Sequence, residues 1–221
     1  LRTAIISAIY GASDEIKRPF GQRNVDCEYL LITDDAALSS GAVDAKGWQI
    51  IYEPSELSPV RAAKIPKLFP WRYTDASTSV WVDGSIEVRS PNFAKTLLEV
   101  ANPMAIYAHP ERDCLFDEAD VTLHFGRYES EWPIIEEQVE AYESHPRNSG
   151  LWASGIIARR HTDEVKAFSD AWSREINRYS YQDQISLPYV VGKTGLVPAS
   201  IPYGDIWKSD HHRFISAGRH R

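Results

Sequence analysis

Short β-branched runs that stop at polar or glycine breaks, alternating with stretches of helical spacing, constrain this chain more than any other feature. TAIISAIYG (residues 3–11) breaks at Gly11, CEYLLITDD (27–35) stops in two acids, and GWQIIYEP (47–54) stops at Pro54. Three buried strands are therefore predicted in roughly the first fifty residues. TSVWVDGSIEV (78–88) reads as an apolar strand interrupted by Asp83-Gly84, PMAIYAH (103–109) as another, and LWASGIIARRH (151–161) as a strand through Ala158. Helices are predicted between them. One lies between Pro54 and Pro70, confined to its early part by Pro66. A second opens at Ser90-Pro91 ahead of FAKTLLEV. Trp132, Ile135, Val139 and Tyr142 recur at helical spacing opposite a glutamate-rich face read as solvated. Thr162 caps a helix with an apolar stripe of Val165, Phe168, Trp172 and Ile176, and a last helix from residue 181 ends by Gly192. The remainder, ending HHRFISAGRHR, reads as loop-rich. This alternation predicts an α/β sheet covered on both faces, with ligands bound beyond the carboxyl ends of its strands.

A single domain over residues 1–221 is expected, and a hydrophobic share of 43% with seven Trp and eleven Tyr excludes a disordered chain. A net charge of −7 argues against a nonspecific nucleic-acid binder, which needs clustered cations to displace phosphate counterions. No apolar run approaches the ~20 residues that cross a bilayer. LRTAIISAIYG lacks the make-up of a signal peptide, so a soluble domain is expected, cytoplasmic if this is the full chain. Cys27 and Cys114 lack metal-ligand spacing and read as buried thiols.

Chemistry centres on Asp83. Asp-Gly between β-branched runs is the signal for a two-residue hairpin turn. It equally describes a carboxylate at the end of a buried strand, beside a glycine (Gly84) that lets a ligand approach, where it would hold a divalent metal or a ribose hydroxyl. Metal-assisted sugar transfer uses Mn²⁺ or Mg²⁺ held by protein oxygens and diphosphate. Here the position two residues on is Ser85, a weak ligand, leaving Glu87, His211 or His212 to complete the shell. Arg61, Lys64 and Lys67, three apart, would share a helix face and neutralise a diphosphate leaving group, or form a solvated face. Asp183 sits at a helix start, where free amides stabilise a carboxylate whether or not it does chemistry. His109, Glu111 and Arg112 follow one strand and His161 follows another, places suited to acceptor hydroxyls. No GxSxG, HExxH or GxxxxGK[ST] pattern occurs, which removes the commonest hydrolase, protease and nucleotide-hydrolase readings.

KIPKLFPWRY (64–73), SVWVDGSIEV (79–88), AIYAHPERDCLFDEAD (105–120), GIIARRH (155–161) and YQDQISLPYV (181–190), in that order, resemble the TOD1/MUCI70 glycosyltransferase-like domain family. The resemblance implies a GT-A-like fold with a mixed, mostly parallel sheet. It also implies a nucleotide sugar donor, most readily a UDP-sugar, a glycan or other hydroxyl acceptor, and a role in polysaccharide biosynthesis. Lys64, Asp83, His109, Arg112, His161, Asp183 and Gln184 match the family's pattern, and Asp183 with Gln184 and His109 form the expected catalytic set. Ala8, Tyr10 and Gly11 are expected to hold the uracil ring, Arg61 and Lys64 the phosphates, and Asp83, Ser85 and His212 the metal. A ceramidase-like, metal-dependent lipid amide hydrolase is the rival expectation. A noncatalytic glycan-binding relative without its metal site is the third.

Overall fold

A computed structural model describes residues 2–215; residues 216–221 of the loop-rich C-terminal stretch lie outside them. Nine strands are described: β1 (Arg2–Ile9), β2 (Asp26–Thr33), β3 (Gln49–Tyr52), β4 (Thr78–Val82), β5 (Ile86–Val88), β6 (Met104–Ala108), β7 (Trp152–Arg160), β8 (Ala199–Ser200) and β9 (His212–Phe214). Seven form one sheet in the order β3-β2-β1-β4-β7-β6-β8, and β5 pairs with β9 apart from it. Only β7 runs against its neighbours in the large sheet. The sheet is thus mixed and mostly parallel.

The helices are α1 (Ala36–Ser39), α2 (Pro59–Leu68), α3 (Phe93–Val100), α4 (Leu115–Thr122), α5 (Trp132–Ala141), α6 (Asp163–Arg178) and α7 (Asp183–Thr194). Because strand side chains alternate between faces, β1 sends Ala4, Ile6 and Ala8, followed by Tyr10 just past its end, into a core shared with Ala62 and Leu68 of α2, Phe168 and Trp172 of α6, and Leu187 of α7. Its Ile5 faces the other core, built with Val80 and Val82 of β4 and with Phe93, Ala94 and Leu97 of α3. The Thr162 cap forms as expected, its side chain accepting from the Val165 amide.

Three local expectations change. Asp83-Gly84 is not a hairpin turn, since β4 pairs with β1 and β7 while β5 pairs with β9. The Ile86 amide donates to the Asp83 carbonyl at 2.9 Å, and the chain leaves the large sheet there. α2 continues through Pro66 to Leu68. Proline removes one donor and crowds the Ala62 carbonyl, but the buried Pro66, Lys67 and Leu68 anchor this last turn in the interior. α7 likewise runs past Gly192 to a left-handed cap at Gly195, φ 75°, the conformation that glycine adopts without a Cβ penalty. Cys114 is buried and Cys27 only partly so; both are free.

Candidate functional site

The carboxyl ends of β4 and β6, the first half of β7 and the start of α7 frame a cleft of about 840 Å³. β7 contributes Ala153, Ser154 and Gly155 there because it enters the sheet from that end. A Cβ on Gly155 would stand 3.0 Å from Ile86 Cδ1 and 3.3 Å from Asp83 Oδ2, so glycine is what lets the Asp83 carboxylate lie against the cleft floor.

That floor is a four-charge cluster with Asp183 and Lys67 buried at its base. Asp183, 3% exposed, has Lys67 Nζ at 2.7 Å and Lys64 Nζ at 2.9 Å from the same oxygen, Oδ2. Its Oδ1 accepts from Ser154 Oγ at 3.1 Å, and Ser154 Oγ also accepts from Lys67 Nζ at 3.1 Å. Lys67 reaches on to Asp83 Oδ1 at 3.5 Å, where Trp81 Nε1 donates at 2.6 Å. Burial by itself pushes the Asp183 carboxyl up, but the two ammonium groups outweigh it and hold the acid well below the usual carboxylate range. Asp183 is therefore ionised at neutral pH. Lys64 and Lys67 share a face of α2 one turn apart, and the Lys67 carbonyl is fixed by Arg159 Nη2 at 2.7 Å. Arg159 is fully enclosed, and that burial lowers its guanidinium to about 9.

A second cluster forms the wall. Glu118, 3% exposed, accepts from Arg112 Nε at 2.8 Å, Gln184 Nε2 at 2.8 Å and Gln182 Nε2 at 3.0 Å. His109 Nε2 lies 3.8 Å from Glu118 Oε2, and its Nδ1 accepts from the Arg112 amide at 3.2 Å. Burial lowers the His109 imidazole, Glu118 opposes the shift and Arg112 adds to it. Lys64, Lys67, Arg112 and Arg127 thus face Asp83, Glu118 and Asp183 in a locally cationic cleft, in a chain of net charge −7. Phe125, Trp207 and Phe214 expose aromatic faces on its rim.

The model of the TOD1/MUCI70, glycosyltransferase-like domain matches residues 1–203. The chain belongs to this family. It is also 24% identical over 217 residues to the "Probable hexosyltransferase MUCI70" of Arabidopsis thaliana, a match covering 86% of this chain and 37% of that protein. The chain thus spans well under half the length of this curated relative. The α/β sheet described above accords with the GT-A-like fold that family membership implies.

Of the residues expected at a family site, Lys64, Asp83, Ser85, His109, Arg112, Asp183 and Gln184 all line the cleft. Gly84 is not among the residues lining this cleft; it lines a separate pocket with Ile5, Ser7 and Arg18, and a Cβ on it would stand 3.0 Å from Asp14 Oδ2. The others are corrected. Arg61 does not face phosphates: its Nη1 donates to the Ile176 carbonyl at 2.9 Å, and its Nη2 to Glu131 Oε2 at 3.0 Å and the Tyr179 carbonyl at 3.1 Å. Its donors are spent capping α6, and Glu131 is accordingly not a merely solvated acid. Arg61→Ala is expected to lower stability by ~1–3 kcal/mol, read by urea denaturation.

His161 follows the carboxyl end of β7, which runs against its neighbours, so it lies at the opposite end of the strands from the cleft. There it meets Ser79 Oγ at 2.9 Å and the edge of Trp71, and burial, helped by Arg159, lowers it to about 4. Ala8 and Tyr10 are 6% and 2% exposed in the α2-side core, so neither side chain offers a stacking face for uracil. Gly11, φ 59°, donates its amide to Asp34 Oδ1 at 3.0 Å.

His212 does not join Asp83 and Ser85. It pairs across from Val88, its Nε2 meets the Ile206 carbonyl at 3.0 Å, and it packs against Phe93 and Tyr107. Glu87 is paired with Arg213 at 3.0 Å. Among the described residues no three His, Cys, Asp or Glu side chains converge as a metal shell. Asp83 Oδ1 is already held by an indole N–H and an ammonium. Asp83, with one oxygen already engaged, and the Ser85 hydroxyl are thus a weak donor set for the expected Mn²⁺ or Mg²⁺ ion.

Sequence reasoning placed Lys67 only in a cation triplet and missed Glu118 as a site residue. The signal for Glu118 was present, since Leu115, Glu118, Ala119 and Thr122 follow one helical face and are all buried. An acid on an apolar stripe needs partners. Ser154 had no such signal. No helix among the described residues is long and apolar enough to cross a membrane.

Proposed function

We propose that this domain transfers a sugar from a nucleotide diphosphate sugar, with uridine as the nucleoside, to a hydroxyl of a glycan acceptor. The observation that carries this reading is the Lys64–Lys67–Asp183–Asp83 cluster at the carboxyl ends of the strands, where open α/β sheets bind ligands. In the reaction the bond from the anomeric carbon to the β-phosphate oxygen breaks, and its electron pair stays with the diphosphate. The acceptor oxygen bonds to the anomeric carbon and loses its proton. Charge gathering on the departing phosphate needs fixed cations, which Lys64 and Lys67 supply without reorganisation. Asp183, ionised throughout, stabilises positive charge developing on the sugar ring. Asp83, whose side chain is 38% exposed while those of Asp183 and Glu118 are 4% exposed, is the cleft carboxylate open to take the acceptor proton.

The aromatic rim of Phe125, Trp207 and Phe214 suits the apolar faces of pyranose rings, which supports a glycan acceptor. A lipid amide hydrolase calls instead for an apolar channel and a metal shell, and a floor of paired charges favours it less. The nucleoside is the part of this reading that rests on family resemblance, and a thermal-shift panel of nucleoside diphosphates reads it directly. At a hundredfold excess over Kd, UDP is expected to add about 2.7 kcal/mol, a rise of roughly 5–10 °C for a chain of this size. ADP and GDP are expected to shift it far less. Equal shifts by all three remove the uridine assignment, and no shift by any leaves the noncatalytic glycan-binding reading.

A further inference from the structure

In metal-assisted sugar transfer a carboxylate holds a divalent cation, which bridges the phosphates and lets an anionic donor approach an anionic protein. In this cleft that electrostatic task is already filled from inside the fold. Lys67, its side chain 3% exposed, places one ammonium 2.7 Å from Asp183 Oδ2, 3.5 Å from Asp83 Oδ1 and 3.1 Å from Ser154 Oγ. Lys64 brings a second ammonium 2.9 Å from Asp183 Oδ2 and keeps 16% of its side chain open to the cleft. Two ammonium groups against two carboxylates leave the floor neutral before any ligand arrives. A divalent ion seated on Asp83 would have to share that carboxylate with a buried ammonium that cannot retreat into water, an arrangement repulsive at any dielectric between the protein interior and bulk solvent. Ser85 offers only a hydroxyl, and His212 and Glu87 are engaged elsewhere.

Resting on the donor reading above, we propose that the site binds its nucleoside diphosphate without a divalent cation, with Lys67 and Lys64 in the place a metal ion otherwise takes. Lys67 neutralises the two aspartates from beneath, and Lys64 faces the diphosphate. Charge gathering on the leaving diphosphate then falls to the fixed ammonium of Lys64, backed by Lys67, rather than to a metal ion.

Calorimetric titration of the intact protein with UDP, once in EDTA and once in Mn²⁺, tests this. The expected result is the same Kd within twofold in both. Manganese electron paramagnetic resonance on the protein without nucleotide is expected to show only the free hexaaquo signal. Lys64→Met is expected to weaken UDP in EDTA by at least tenfold, with circular dichroism as the check on folding. Lys67→Met is expected to do the same wherever it folds. UDP binding at least tenfold tighter in Mn²⁺, or a protein-bound Mn²⁺ signal, overturns the metal-free inference and leaves the donor reading standing. Wild-type affinity for UDP in Lys64→Met also overturns it. Binding in neither EDTA nor Mn²⁺ overturns the donor reading itself, and this inference falls with it.

Discussion

Asparagine at position 183 is expected to cost the fold about 3–5 kcal/mol, because removing one member of a buried ion cluster strands its partners. Asp183→Asn preserves shape, so the loss falls on charge. Lys67 Nζ at 2.7 Å loses its closest counter-ion with its side chain 3% exposed, and Lys64 loses its own. Urea denaturation reads the loss, and Asp183→Asn combined with Lys67→Met is expected to regain part of it, since that pair removes the uncompensated charge. The pH dependence carries a definite sign. The folded-state pKa of Asp183 is depressed below its ordinary 3.8, so its stabilisation is complete above the unfolded value and drains away as pH falls below about 3.8 toward the folded one. Wild type should lose this increment on acidification and Asp183→Asn should not. Identical acid profiles for the two proteins would count against the cluster. Sugar transfer is expected to fall by at least two orders of magnitude in Asp183→Asn, an effect of the size seen when one fixed stabilising group is removed.

Glu118→Gln is the second large effect, expected at about 3 kcal/mol. A glutamine there presents an amide to Arg112 Nε, Gln182 Nε2 and Gln184 Nε2, where three donors now converge on a carboxylate. Denaturation measures the stability. A readout that lost packing alone would not move is the titration of His109 by NMR. Glu118 is the larger of two acids, with Glu111, that raise that imidazole against burial and Arg112, so neutralising it should move His109 further below its ordinary value. An unchanged His109 titration would show that the two do not share one electrostatic environment.

How far the chain could be read beforehand varies with the range of the interactions involved. Strand runs such as TAIISAIYG and CEYLLITDD carry their fold in local composition, and β1 and β2 form where expected. Thr162 and the stripe of α6 are local in the same way. What failed depended on direction or on distant partners. Nothing in GIIARRH says that β7 runs backward, yet that reversal alone removes His161 from the cleft and brings Ser154 into it. Pro66 reads as a stop until the burial of Lys67 is known, and the Lys67 ammonium finds its counter-ion 116 positions further along the chain, at Asp183. Arg61 and Lys64, three residues apart, looked equivalent; one caps α6 and the other faces the cleft. His212 read as an exposed tail residue or a ligand and is 1% exposed because β9 folds back along β5.

The clamp of Arg159 on the Lys67 carbonyl has a bearing on how members of this fold can diversify. With the end of α2 tied to a central strand, the charged basement of the cleft is a rigid part, and small changes there propagate into core and chemistry together. The rim is a different material: Phe125 and the start of the 3₁₀ turn Gly126–Glu131 on one side, and Trp207 and the β9 residue Phe214 on the other, come from short segments outside the large sheet. On the glycan-acceptor reading proposed above, exchanging those segments between relatives is expected to redraw acceptor preference, as an interchangeable collar on a fixed socket.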